Sequence, residues 1–456
     1  MSEPLPTRRP LAIGLLLAVT AFAFDNLAIA TAMPEITRRL GGLALYGAAF
    51  SAFGLAMLFS LAVSGPLADR FGPRPVLSAG LATFTAGLVL GGVAPTMGVV
   101  VAARAIQGLG GGTIGACAYV AVGRLWAPEA RGRMLAILSG AWIVPSLVAP
   151  AIAGVVTDQL SWRLVFLGLV PFPIVAAVLA LPALGQLGPI GEATAASDRR
   201  LRRRGWAALR LAGGTGVFLA GIQSESVVIG TGLVLVGGVG AGFALRPLLP
   251  PGTLRAEPVL PALVGVRFML SWAFFGADAF VPFAVSEVRG ADAVVAGFAL
   301  SIAGLTWSGA AWMQASQRPP PHRLCPGFVH QGRHRDRGGR AGQRLDAAGR
   351  PCSGGVWPAW GWGSPSTARR SPLVWPRSDR RGSRPSLHLA ESLGGALATG
   401  LAGTLVAVGE RSGWRPGSTA IAVFVLALVG VVPGMLAAGR LGRVSASVAA
   451  RSASTS

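Results

Sequence analysis

The chain has 456 residues, 52% of them hydrophobic and only 13% charged, with a formal net charge of +22. A soluble domain averages about 25% charged residues, so this composition, with a mean hydropathy of +0.58, excludes an ordinary water-soluble enzyme. All 40 basic residues are arginine and there are three cysteines, which reads as basic loops flanking membrane spans rather than a nucleic-acid surface or a disulfide framework.

Only helices or closed barrels satisfy the backbone in lipid, and the apolar runs here are too long and continuous for barrel strands. Helical spans are predicted over 11–32, 43–63, 76–94, 97–122, 134–156, 163–184, 207–223, 226–245, 259–284, 291–313, 388–408 and 418–438. The first run is long enough to span and has no clear A-x-A site after it, so it is read as a span and not a cleavable signal. Arg8 and Arg9 precede the first span, Arg70 and Arg74 follow the second, Arg124, Arg131 and Arg133 follow the fourth, and Arg199 to Arg204 follow the sixth. Every second loop is therefore basic, which places both termini and these loops in the cytoplasm. Arg38 and Arg39 stand on the outer side as exceptions.

Within these runs a few residues break the apolar pattern. Asp25 sits in span 1, in A-F-A-F-D-N-L-A-I-A-T-A-M-P. Gly65 to Val76 reads G-P-L-A-D-R-F-G-P-R-P-V, a charged turn in which Gly65 would let two helices approach, Asp69, Arg70 and Arg74 are charges at helix ends, and Gly72 and Pro73 make the turn. Arg104 lies inside span 4 in R-A-I-Q-G-L-G-G-G, with Gln107 one turn away on the same face. An ionisable residue in a span is costly and is a functional candidate by default; the plainer readings are an arginine bonding carbonyls near a span end and, for Asp25, a helix-to-helix hydrogen bond. Span 5, G-A-W-I-V-P-S-L-V-A-P-A-I-A-G, holds Gly140, Pro145, Pro150 and Gly154, a spacing that bends a helix. Asp278 lies among aromatics in F-F-G-A-D-A-F-V-P-F, on the translocation path or at the outer interface. No Walker sequence, no nucleophile with a nearby histidine and no metal-ligand spacing occurs, so no catalytic set, metal or cofactor is expected.

The turn at Gly65 to Val76 is similar to the cytoplasmic signature between spans 2 and 3 of the major facilitator superfamily, and Arg104 to Gly112 is similar to its span-4 signature. Pro73 and Pro75 flank Arg74 where the family usually has basic residues. The span-1 and span-5 stretches and Trp162-Arg163 resemble the fourteen-span drug:proton antiporter branch, although no glycine precedes Pro145 or Pro150. The resemblance implies an all-α multi-pass membrane protein with a two-bundle fold. It also implies proton-coupled export of small amphipathic compounds, by a monomer in the inner membrane that binds substrate and protons and no nucleic acid. A uniporter or metabolite exporter of the same fold is the alternative. Asp25, Arg104, Gln107 and Asp278 would then serve proton coupling or translocation. Gly65, Asp69, Arg70, Gly72 and Arg74 would form the cytoplasmic gate, with Asp69 near the start of a helix beginning around Leu387 to Leu393.

The resulting division is 1–184 as a six-helix bundle, 185–205 as a basic cytoplasmic linker and 206–246 as an extra central helix pair. Then come 257–313 as the first part of the second bundle, 387–440 as its last two helices, and 441–456 as a cytoplasmic tail. Between them, 316–386 breaks with its surroundings: 14 Arg and 10 Pro against 3 Asp, with no Ile, Met, Tyr, Asn, Glu or Lys. A metal site has no C-x-x-C or H-x-x-x-H to rest on, and a nucleic-acid loop has no module pattern. A disordered cytoplasmic loop fits the composition, but translation out of frame fits better. Trp360 to Thr367, read one base earlier, becomes a run of aliphatic residues and glycines, which is membrane-helix composition. The second bundle would then lack two of its six spans, and the chain as written would transport poorly or not at all.

Overall fold

The computed structural model describes residues 8–189, 195–224, 226–246, 248, 260–302 and 383–433, and every regular element in them is a helix. They are α1 (Arg8–Leu40), α2 (Tyr46–Phe71), α3 (Pro73–Gly92), α4 (Met97–Leu125), α5 (Pro128–Gly140), α6 (Ile143–Gln159), α7 (Arg163–Leu167), α8 (Pro171–Leu184), α9 (Ala195–Ile222), α10 (Val227–Leu245), α11 (Leu260–Asp278) and the single turn α12 (Val281–Phe283). There follow α13 (Ala293–Ile302), α14 (Ser383–Arg411) and α15 (Pro416–Val429). Eleven helical stretches among the described residues are long and apolar enough to cross a membrane, α5 with α6 and α7 with α8 each counting as one.

Several boundaries differ from the sequence reading, α1 for instance running on to Leu40. The basic stretch Arg199 to Arg204 is helical and continuous with α9; arginine is a good helix former, and Asp198 in the first turn suits the helix N-terminus. Helix α14 reaches back to Ser383, four residues before the apolar run resumes, since a proline in the first turn, Pro385, is tolerated there. Of the predicted span over 291–313 only α13 is described; the rest of it, residues 316–382 and the tail 441–456 lie outside the described residues.

In the first half, α2 and α3 pack on α4, and α1 packs on α6 and α8. Glycines permit the α2–α4 approach: a Cβ at Gly108 would lie 2.2 Å from the Phe53 carbonyl oxygen. In the second half α11 packs on α14 and α15, repeating the way α1 meets α6 and α8. The halves meet at two antiparallel crossings. On one, Gly47 and Gly54 of α2 face Gly403 and Ala396 of α14; on the other, Pro150 and Gly154 of α6 face Gly297 and Ala293 of α13. The pair α9–α10 packs on itself and against α2, with Leu219 seated on Gly400 of α14.

The first crossing is tight enough to test. A Cβ at Gly403 would lie 2.2 Å from the Gly47 Cα, so one backbone must retreat. Gly403→Val should lower stability by about 1–3 kcal/mol, the usual cost of overpacking, read as a drop in the thermal unfolding midpoint; an unchanged midpoint would contradict this packing.

The helix directions gather the arginine-rich loops at one end, here the basic end. Arg70 forms an ion pair with Asp198 there, and Arg124 donates to the Gly188 carbonyl at 2.6 Å. At the opposite end the two exceptional arginines are partly neutralised, because Arg38 and Arg39 both pair with Glu35. Arg163 also lies at that end and donates to the carbonyls of Gly92 and Ala94 at 3.0 Å each, closing the last turn of α3.

Candidate functional site

A cavity opens between the halves, walled by α1, α2, α4, α11 and α14 and by the break between α5 and α6. That break falls at Ala141 and Trp142, between Gly140 and Pro145, where the glycine and proline spacing predicts a bend. It turns Trp142 onto Phe22, ring centroids 5.5 Å apart and nearly perpendicular. Phe22 in turn stacks on Phe53 at 5.9 Å. Phe50 and Phe275 add to an aromatic wall.

Arg104 supplies the charge in this wall. It is 1% exposed, and its Nη1 donates to Asp25 Oδ2 and to Gln107 Oε1, each at 2.7 Å. Its guanidinium lies 4.0 Å from the Phe53 ring centroid, a cation–π contact. The helical spacing puts Gln107 beside Arg104 on α4, while Asp25 arrives from α1. The structure thus brings together three of the four residues proposed for coupling. Arg104 lines the cavity and Asp25 stands behind it. Two donors of the cluster, Arg104 Nε and Gln107 Nε2, have no hydrogen-bond partner among the described residues; buried donors without partners are costly.

Asp278, the fourth, lies across the cavity at the end of α11. It pairs with no basic side chain among the described residues. A second ion pair, absent from the sequence reading, also faces this space: Arg267 Nη2 donates to Glu391 Oε2 at 2.8 Å, with His388 Nδ1 3.5 Å from the same oxygen. Glu391 and His388 line the cavity, and the His388 ring lies 5.7 Å from that of Tyr119 on α4. An ionisable residue in an apolar run, the signal that singles out Asp25 and Arg104, also marks Arg267 and Glu391.

The turn motif takes a different form from the one expected. Gly72 has φ +85° and Pro73 opens α3, as the turn requires. Among the described residues nothing comes within 4 Å of a Cβ at Gly65, whereas on α2 Gly47 and Gly54 stand at close approaches to α14. Asp69 is exposed, and no hydrogen bond or ion pair joins it to α14 among the described residues, although the antiparallel crossing carries the end of α2 toward the start of α14. Arg70 turns instead to Asp198, and Arg74 lies against Gly185.

The Major Facilitator Superfamily model matches residues 15–329. The chain is 32% identical over 314 residues to the MFS-type transporter ppz2 of Metarhizium majus, covering 64% of this chain and 53% of that protein. It is 30% identical over 307 residues to the multidrug transporter protein MdtP of Bacillus subtilis, covering 64% and 54%. Against the efflux pump dotC of Dothistroma septosporum it is 31% identical over 305 residues, covering 62% and 50%. The chain spans about half the length of the curated relatives it matches. Among solved structures, a peptide transporter POT superposes with a TM-score of 0.60 at 15% identity, covering 96% of this chain and 95% of that one. At that identity the likeness concerns the fold.

Proposed function

Because the chain belongs to the major facilitator superfamily, we propose that it is built as a secondary active exporter that exchanges protons for small amphipathic compounds. The basic end faces the cytoplasm, as arginine-rich loops do. The observation that carries the reading is the buried Asp25–Arg104 pair in the cavity wall: transporters of this type place ionisable groups at the interface between repeats, near the bilayer midplane. Arg104 faces the cavity, so a change in helix packing that draws it from Asp25 leaves a carboxylate that takes up a proton, and substrate binding that returns Arg104 to Asp25 expels that proton. Aromatic walls and the unpaired Asp278 suit an apolar body carrying a charge. Relatives named efflux pump and multidrug transporter support export as the direction.

A second reading concerns this chain as written. Since α11 meets α14 and α15 as α1 meets α6 and α8, the last two helices stand for the fifth and sixth of the second half. The third and fourth then belong to the interval between α13 and α14, which holds the Arg- and Pro-rich segment. Without them the second half lacks the counterpart of the α3–α4 layer, so the halves can still move about their two crossings but one wall of the cavity that carries substrate across is missing.

Proton coupling is tested without transport. Ethidium, an amphipathic cation, added to the purified chain in weakly buffered detergent should release protons as it binds. Asp25→Asn should bind ethidium without that release. Binding with no proton release by the unaltered chain would favour the uniporter or metabolite-exporter alternative.

A further inference from the structure

The end of the molecule away from the basic loops is held shut by contacts between the halves, and one of them is a carboxylate on a helix start. Asp158, the last residue but one of α6, accepts hydrogen bonds from the backbone N–H groups of Ala293 and Val294, at 3.3 and 2.9 Å. These are the first amides of α13, which have no partner within their own helix. Asp292 stands where a local cap would, yet its side chain is exposed and makes no hydrogen bond among the described residues. The amides are satisfied from the other half of the molecule.

The contact has the geometry of a designed seat. Pro150, Gly154 and Asp158 recur every four residues along one face of α6. A Cβ on Gly154 would lie 2.5 Å from the Ala293 carbonyl oxygen, and one on Gly297 would lie 2.2 Å from that of Pro150. The two backbones touch for two turns, and the carboxylate closes the stripe at its end. A negative charge there also meets the positive end of the α13 dipole.

We propose that Asp158 is a gating residue: its carboxylate latches the two halves at the end opposite the basic loops and must leave the start of α13 for the cavity to open there. The inference rests on the two-half rocking of the proposed function and adds the residue that holds one of its states. Tyr46 reinforces the seal on the other crossing, its hydroxyl donating to the Ala279 carbonyl at 3.0 Å and its ring packed on Phe280 and Phe283. That contact is buried among aromatic rings, whereas the Asp158 side chain is exposed and is held by two hydrogen bonds, so it is the contact most readily undone by a single substitution.

The test measures distance and needs no transport. Spin labels at Val93→Cys and Val288→Cys, both exposed positions at this end on opposite halves, are placed in the full chain with Cys325 and Cys352 changed to serine. In nanodiscs the unaltered latch should give a predominantly short-distance distribution with a minor long-distance population. Asp158→Ala should raise the long-distance population about fivefold, the scale of a lost helix cap; Asp158→Glu should restore most of the short one, and Asp292→Asn should change nothing. A distance distribution for Asp158→Ala that superimposes on the unaltered one overturns the proposal, as does an equal shift in Asp292→Asn. Thermal unfolding of each variant separates an opened gate from a misfolded chain. The ethidium experiment scores the exporter reading separately, since its outcome does not depend on this distance.

Discussion

Arg104→Ala is expected to lower the stability of the detergent-purified chain by about 3–5 kcal/mol, the cost of breaking a buried ion pair by removing one partner. Arg104 and Asp25 are 1% and 2% exposed at the side chain, so the orphaned carboxylate has no water to turn to. The loss includes two further contacts of the guanidinium, the hydrogen bond to Gln107 and the face of Phe53. Pairing the change with Asp25→Asn should recover part of the loss, because no unpaired charge is then buried, while the contacts to Gln107 and Phe53 stay lost. The double variant should nevertheless release no protons on binding ethidium. A midpoint for Arg104→Ala within a degree of the unaltered chain would show that the pair is not buried as described.

The second large effect is on transport. The chain as written should export ethidium at background rate, whereas the coding sequence read one base earlier across residues 316–386 should yield two further apolar helices and a gain of at least tenfold. The packing argument locates the deficit. In the first half α4 is the helix on which both α2 and α3 rest, and it carries Arg104. The second half has helices on the α1, α6 and α8 pattern among its described residues, and the interval where an equivalent of α4 belongs is the one with 14 arginines and 10 prolines. A segment of that composition does not enter lipid.

The order of the spans, and eleven of the twelve predicted runs as helices of spanning length among the described residues, were legible because lipid enforces a simple rule, about 20 apolar residues for each crossing. Asp25 and Arg104 were each legible as candidates for a related reason: a charge inside a span is costly and has to be satisfied; that they pair with one another is what the packing of α1 on α4 adds. Arg267 and Glu391 obey the same rule and were overlooked, since Glu391 follows closely on the arginine-rich stretch and reads as part of its charged border. Asp158 was hidden differently. A carboxylate at a span end looks solvated, and only the approach of α13, more than a hundred residues away in the chain, gives it amides to bind. Gly65 shows the reverse case, a glycine in a recognisable motif that meets no neighbour among the described residues; close approach depends on which helix faces it, which local sequence does not encode.

The account as a whole turns on one comparison, efflux of ethidium from energised cells carrying either the chain as written or the chain with its frame restored across 316–386. It predicts proton-dependent efflux from the restored chain, abolished by a protonophore and by Asp25→Asn, with the written chain indistinguishable from cells lacking either. Equal efflux by the two chains, with the written frame confirmed in the gene, would contradict it.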